Sequence, residues 1–264
     1  MSFSKVGLVG TGIIGEVLIE VLLRSGLSKE SLFIAEKRDE RRDEVITKFG
    51  VSEIKNYSSL DVILLAVKPQ DFMATLEIIS DSLSGSPLIV SFAAGIKIKS
   101  IEEKLGKGSR VIRVMPNTPM MMGRGMSAIS LGSAATSEDQ KWVSGFLSKA
   151  GEVIVVDESL QDAVTATSGS GPAYYFAFTE AVVGAARRLG ITQEDAVAMA
   201  SQTLIGAALM VEKSGKELKT LRENVTSPNG TTAAALKSFT ESGLEEIVYK
   251  AMKAAHDRSI ELSS

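Results

Sequence analysis

The chain reads as an α/β domain followed by an all-helical one, and three observations predict it. Short apolar runs alternate with helical patterns up to about residue 157, strand signals then stop, and the first strand breaks into a glycine-rich turn that opens a helix. The turn is the most informative of the three. Lys5-Val6-Gly7-Leu8-Val9 runs into Gly10-Thr11-Gly12-Ile13-Ile14-Gly15, and a helical pattern continues from Glu16 to Ser25. That order suits a pyrophosphate. Gly10 permits a tight turn, Gly12 lets backbone N–H groups approach phosphate, Gly15 lets the helix pack on the strand, and the helix N-terminus at Ile13 and Ile14 adds partial positive charge. The expected architecture is an N-terminal Rossmann-type dinucleotide-binding domain over residues 1–160 and a C-terminal all-helical dimerisation domain over residues 161–264.

Composition narrows the function classes. The 264 residues carry a net charge of −3, which offers no bulk attraction to nucleic acid. There is no cysteine, so disulfide and thiolate chemistry are excluded and a cytoplasmic setting is expected. One histidine, His256, cannot build a usual metal site. It sits among Ala254, Ala255, Asp257 and Arg258 and reads as a surface or interface residue. Glycines interrupt the first apolar run, unlike a signal peptide, and no apolar stretch is long enough to span a membrane.

The remaining strands follow in order. Ser31-Leu32-Phe33-Ile34-Ala35 is the second, and Glu36 follows it where a Rossmann unit meets the adenosine ribose. A carboxylate there accepts from a ribose 2′-hydroxyl and favours NADH, whereas Lys37 and Arg38 could clamp a 2′-phosphate and favour NADPH. The two signals conflict, and the plainer alternative is a charged, solvated helix start over residues 36–44. Asp61 to Val67 is nearly all apolar, as a strand covered on both faces would be, and ends at Lys68-Pro69. Lys68 could reach a phosphate, a carboxylate or a reacting group, or be a surface lysine before a helix-starting proline. Pro87 to Phe92 is a strand running into Ala93-Ala94-Gly95, small enough for backbone to approach a flat ring. Arg110 to Val114 is another, followed by Met115-Pro116-Asn117-Thr118-Pro119, where the prolines predict a rigid, non-helical turn that presents Asn117 or Thr118. Met120 to Met122 read as adaptable packing. Met126–Ile129 and Val153–Val156, with a helix over 138–150 between them, complete a sheet of seven or eight strands.

Beyond residue 157 the chain reads as helices over 173–189, 193–213 and 244–261. Gly190 suits a helix C-terminus, and Thr192 to Asp195 resembles a capping box. Gly184, Ala185, Gly206, Ala207 and Ala208 leave these helices little private core, which predicts burial against a second copy of the chain, the plainer alternative being packing within the chain. Two polar islands interrupt them. Ser168-Gly169-Ser170-Gly171-Pro172-Ala173-Tyr174 reads as a hinge with Pro172 opening a helix. Between Leu221 and Ala233 a helix stops, polar and turn residues follow, and another helix opens near Thr231 and Thr232. Free N–H groups at that start would bind a small carboxylate, with the two hydroxyls as further donors.

Here the sequence resembles the pyrroline-5-carboxylate reductase family. The family's signature, Ser/Thr-Ser-Pro-x-Gly-x-Thr and a small residue, is matched by Thr226-Ser227-Pro228-Asn229-Gly230-Thr231-Thr232-Ala233. Residues 168–174, Ala66-Val67-Lys68-Pro69, Ala93-Ala94-Gly95 and 113–119 also match in the family's order, over nearly the whole chain. Asn229 stands where the family more often has glycine, and asparagine tolerates the left-handed conformation best among other residues. Glu36-Lys37-Arg38 replaces small hydroxyl residues and leaves cofactor preference open.

The resemblance implies reduction of 1-pyrroline-5-carboxylate to L-proline, with NADPH or NADH as the reductant. It also implies a homodimer through the helical domain, with higher assembly such as a decamer of dimers, and no nucleic-acid or membrane partner. The substrate would lie between the cofactor of one subunit and the helical domain of the dimer. Asn56, Ala66, Val67, Lys68, Pro69 and Asn117 would join the glycine turn around the cofactor, and Ala93, Ala94 and Gly95 would lie beside the nicotinamide. Asn224, Ser227, Gly230, Thr231 and Thr232 would hold the pyrroline. Because a protonated imine accepts hydride readily, the site needs a hydrogen-bonding group near nitrogen rather than a strong acid, and Thr232 is the candidate, with Lys68 as a second catalytic candidate. A β-hydroxyacid or prephenate-type dehydrogenase would need a base on the first long helix of the second domain, yet residues 173–189 hold neither lysine nor histidine. A non-catalytic nucleotide sensor would have no use for the island at 224–232.

Overall fold

The computed structural model describes residues 3–262. These residues form two compact units, 3–170 together with 255–262, and 171–254. Where the sequence placed the boundary at 160/161, the units divide at 170/171, and the last two turns of the final helix belong with the first unit.

The first unit is built on one eight-stranded sheet. Its strands are β1 (Val6–Val9), β2 (Leu32–Ala35), β3 (Ser52–Glu53), β4 (Val62–Leu65), β5 (Leu88–Ser91), β6 (Arg110–Met115), β7 (Gly125–Leu131) and β8 (Gly151–Val155). The order is β3-β2-β1-β4-β5-β6-β7-β8, parallel except where β6 meets β7. The first six strands have the doubly wound Rossmann order, whose strand order reverses beside β1. β3 has only two residues and carries no periodicity, which is why the sequence did not show it. Residues 118–122 form a 3₁₀ turn rather than the expected non-helical one: Pro119 lies early in the turn, where its missing N–H has no intrahelical partner to lose. Met120 is buried there, whereas Met121 and Met122 are exposed, so only the first of the three packs.

Each face of the sheet is covered. The helices are α1 (Ile13–Arg24), α2 (Asp39–Phe49), α3 (Pro69–Ser82), α4 (Ile98–Leu105), α5 (Ser137–Leu147) and the single-turn α6 (Gln161–Val164). Leu8, Leu18, Leu22, Val90, Ile112 and Phe146 belong to the larger cluster, and Ile63, Leu65, Phe72, Leu76, Ile89 and Ile101 to the other. Adjacent residues of β4 and β5 enter opposite clusters, as the alternation of a strand requires, so both faces had to be apolar. Capping fixes the ends. Thr136 and Asp139 form a capping box on α5, and Arg110 Nη1 donates to the fully buried Asp139 at 2.8 Å. Asp61 accepts from the N–H groups of Ser4 and Lys5 and pins the start of β1.

One polar row crosses the sheet. Ser91, Arg113 and Ser130 lie side by side on β5, β6 and β7, all buried. Arg113 Nη1 donates to Glu158 Oε1 at 3.2 Å, and the same oxygen accepts the N–H of Ile98, the first residue of α4, at 2.7 Å. Glu158 therefore both neutralises a buried cation and caps α4, whose N-cap side chain makes no such bond. Ser259 Oγ donates to Asp162 at 2.6 Å and ties the last turns of the final helix to α6.

The second unit contains α7 (Gly171–Arg188), α8 (Gln193–Ser214), α9 (Leu218–Asn224), α10 (Thr231–Glu241) and most of α11 (Leu244–Leu262). Thr192 accepts from Asp195 N at 3.1 Å and caps α8. A π-helical turn, Thr165–Gly169, precedes α7 in place of a simple hinge. In residues 171–254 the buried apolar side chains are Ala196 and Ala200, while Tyr175, Phe176, Phe178, Met199, Ile205 and Tyr249 are exposed. Two alanines cannot stabilise five helices. Among the described residues no helix is long and apolar enough to cross a membrane.

Replacing Glu158 with alanine strands a buried guanidinium and uncaps α4. Such losses amount to about 2–4 kcal/mol, so Glu158→Ala is expected to melt several degrees below the parent in a thermal scan, and Glu158→Gln, which still accepts from Ile98 N, less so.

Candidate functional site

In the first unit, the residues singled out in the sequence gather at the carboxyl ends of the parallel strands. Val9 pairs with Ala35 and Leu65, Leu65 with Ser91, and Ser91 with Arg113, so the segments leaving these strands emerge along one edge. That edge, at the reversal of strand order, is where open α/β sheets bind ligands.

The glycine turn is closed by two contacts that exclude any side chain. Gly10 has φ +92°, and a Cβ on it would stand 2.8 Å from the carbonyl oxygen of Ala66. A Cβ on Gly15 would stand 2.0 Å from the carbonyl oxygen of Gly10. Ala66 in turn donates its N–H to Val9 at 2.9 Å, which holds the ends of β1 and β4 together. Gly12 is different: it is the N-cap of α1 with φ −67°, and a Cβ there would meet nothing within 4 Å. No side chain caps α1, so its first N–H groups open onto that same space beside the exposed Ile13, while Ile14 packs on the core. A cradle with free amides and no Cβ fits a dinucleotide pyrophosphate.

Glu36 follows β2 with its side chain only 6% exposed. Oε2 accepts the N–H and hydroxyl of Thr11 at 3.1 and 3.0 Å, and Oε1 accepts the N–H and Nε of Arg38 at 3.2 and 3.0 Å. Burial alone would raise the Glu36 pKa. The hydrogen bonds from Arg38 and Thr11 outweigh it and bring the carboxyl down to about 2. Lys37 is exposed and pairs with Asp71 at 3.2 Å. Thr11, fully buried, and Arg41, whose Nε donates to the Thr11 carbonyl at 3.0 Å and whose Nη2 meets Glu16, were missed in the sequence. Thr11 is an unrestricted position of the glycine motif, and Arg41 is one charge among many in α2, so neither carried a signal.

The other cofactor candidates divide by what their side chains do. Asn56 caps the turn at 57–59, accepting from Ser58 N at 2.9 Å. Val67 packs against the smaller cluster, and Lys68, exposed, is the N-cap of α3 with Pro69 opening the helix. Ala93 is buried and its N–H reaches Ser91 Oγ at 3.4 Å, while Ala94 is half-buried. Gly95 turns at φ +79° against the Leu262 carbonyl. Asn117 is engaged at both ends of its amide, donating to Ser168 O at 3.0 Å and accepting from Met126 N at 2.9 Å, so it braces β7 and the π-helical turn rather than presenting a free side chain.

In the second unit, the island between α9 and α10 contains Asn224, the last residue of α9, and the exposed Ser227. Asn229 adopts φ +59°, so asparagine does take the left-handed position. Gly230 N donates to Ser227 O at 3.0 Å, and Gly230 is the N-cap of α10 with no side-chain cap. The N–H groups at Thr231 and Thr232 therefore have no partner within their helix, and both hydroxyls sit at the same terminus. His256 lies on α11 with Nδ1 3.1 Å from Asp257 Oδ1, in none of these segments.

Gly12→Ala and Gly15→Ala separate binding from folding. Gly15→Ala is expected to lower the melting temperature sharply. Gly12→Ala is expected to keep or slightly raise it while weakening NADH or NADPH binding about tenfold or more, measured by the fluorescence of the reduced nicotinamide.

Comparison with known proteins finds matches along the whole chain. The family described as pyrroline-5-carboxylate reductase dimerisation matches residues 158–262, and the family described as NADP oxidoreductase, coenzyme F420-dependent, matches residues 5–95. The pyrroline-5-carboxylate reductase of Corynebacterium melassecola is 39% identical over 98% of each chain. The solved structure of a pyrroline-5-carboxylate reductase from Coxiella burnetii superposes with a TM-score of 0.92 at 33% identity, covering 100% of both chains. The pyrroline carboxylate reductase of Plasmodium falciparum, solved with NADP bound, gives 0.84 at 30% identity over 98% of each. With a glycine cradle at one end, a threonine-rich helix start at the other and relatives of this identity along its whole length, the chain belongs to the pyrroline-5-carboxylate reductase family.

Proposed function

We propose that the chain reduces 1-pyrroline-5-carboxylate to L-proline at the expense of NADPH or NADH, as a cytoplasmic enzyme of amino-acid biosynthesis. The observation that carries the reading is the pairing, in one chain, of a side-chain-free cradle at Gly10–Gly15 with an uncapped, doubly hydroxylated helix start at Thr231–Thr232. The reduced nicotinamide supplies the hydride that the cyclic C=N carbon accepts.

The chain's own residues bind and orient. The first amides of α1 and the open face of Gly12 take the pyrophosphate, Glu36 to Arg38 border the adenosine ribose, and Asn56 and the Ala66–Pro69 segment line the same edge. Ala93, Ala94 and Gly95 offer the flat backbone for the nicotinamide, with Asn117 holding the neighbouring turn in place. Lys68 is an exposed cation at that edge, able to pair with a phosphate or the substrate carboxylate. On α10, the amides of Thr231 and Thr232 receive the carboxylate of the pyrroline, and Asn224, Ser227 and Gly230 shape the approach. The Thr232 hydroxyl hydrogen-bonds the ring nitrogen and keeps its proton in place. A hydroxyl is a weak acid, so orientation contributes more than proton donation. The helical unit is a dimerisation domain, and the exposed aromatic and aliphatic residues of α7, α8 and α11 are what the partner covers. Higher assembly from dimers, up to a decamer of dimers, extends the same reading.

Two measurements test it. Purified protein with pyrroline-5-carboxylate should consume NADH, NADPH or both, followed by the loss of reduced-nicotinamide absorbance, and no consumption of either would sink the reductase reading. In the same assay Thr232→Ala should lose about 10- to 10³-fold in kcat/KM, the range of one polar catalytic contact, whereas undiminished turnover removes Thr232 from the mechanism. Light scattering on the eluted protein should give at least twice the 28.0 kDa chain mass, and a monomer would contradict the dimer.

A further inference from the structure

The segment after β2 presents a carboxylate and two cations to the same ribose, and the structure ranks them. Glu36 is nearly buried, and its four hydrogen bonds fill the acceptor directions of a carboxylate. It is anchored from the glycine turn by Thr11 and cannot swing away without unpairing two donors. The cations are less committed to a ligand than the sequence suggests. Lys37 reaches Asp71, Arg38 lies on Glu36 itself, and Arg41 is taken by Glu16, Glu44 and the Thr11 carbonyl. Residues 36–44 hold four cations and five carboxylates, so the segment offers no surplus positive charge.

A ribose 2′-hydroxyl and a 2′-phosphate meet this arrangement differently. The hydroxyl is a donor. Arg38, whose side chain is 61% exposed, can leave Oε1 for water while the hydroxyl takes its place, and every group stays paired. The phosphate is an acceptor bearing about −1.5 to −2 charges, set against an ionised carboxylate that has nothing to donate. We infer that Glu36 makes this chain favour NADH over NADPH. The inference rests on the dinucleotide reading of the glycine turn.

The test is direct binding, without substrate. NADH and NADPH are titrated separately into the purified oligomer, with the fluorescence of the reduced nicotinamide as the readout, for the parent chain and for Glu36→Gln. The parent should bind NADH about tenfold or more tightly than NADPH, and Glu36→Gln, which removes the charge and keeps the size, should cut that ratio about tenfold by tightening NADPH. A parent that binds NADPH as tightly as NADH, or more so, overturns the inference. So does an unchanged ratio in the variant with both cofactors equally weakened, which is the result if Glu36 only braces Thr11. If the variant fails to fold in a melting scan, the parent ratio decides alone. Binding of neither cofactor overturns the inference together with the dinucleotide reading. Preferential NADH binding without turnover of pyrroline-5-carboxylate supports the inference and counts against the reductase reading alone.

Discussion

The first unit depends on one contact, the seating of Gly15 on the carbonyl of Gly10. With a methyl group excluded by a 2.0 Å approach, α1 can begin directly over the turn, and its first amides face the sheet edge instead of a capping side chain. The second contact, Gly10 on Ala66, draws the end of β4 against the end of β1 and so places the Ala66–Pro69 segment at the same edge. Glu36 then locks the turn from a third strand through Thr11. Above strands that pack into the two apolar clusters, three segments distant in sequence are thereby held together at the sheet edge by close backbone approach and one carboxylate. Packing of that kind tolerates little variation, because carbonyl oxygens do not move aside as a flexible side chain does.

The electrostatics of the unit are arranged around anions held low. Glu36 keeps its charge through hydrogen bonds that overcome its burial, and Asp61, despite partial burial, is lowered by the Ser4 and Lys5 amides. Arg113, a cation 3% exposed, is faced by Glu158, whose oxygen also caps the start of α4. One carboxylate thus serves β6 and the helix that follows the Ala93–Gly95 loop. Loop residues supported in this way can approach a planar ligand without a rigid core of their own.

Much of this was legible in the sequence, and the reasons are physical. Strands such as Val62–Leu65, apolar on both faces, announce themselves because nothing polar interrupts them. The glycine turn is legible because its residues are excluded by close backbone contact, and the helix start at Thr231 because a Ser-Pro-Asn-Gly run can only be a turn. What was hidden is non-local or too short to have a period. β3 has two residues, the π-helical turn at Thr165–Gly169 differs from an α-turn by one hydrogen-bond register, and the Glu158–Arg113 pair joins positions far apart in the chain. The place of Asn117 between prolines suggests a ligand-facing side chain, whereas in the fold both ends of its amide are taken by partners distant in sequence or across the turn.

The scarcity of buried side chains in α7 to α11 has a further consequence. A helical segment whose inward-facing residues are alanines gains its stability on meeting another copy, so the rate at which a newly made chain becomes resistant to proteolysis depends on its concentration. At low expression such a chain spends longer with aromatic surface open to chaperones and proteases. Substitutions on this face would then act in trans, with a defective copy drawing a sound one into a weak pair. The abundance of the protein would fall more steeply than the dose of its message.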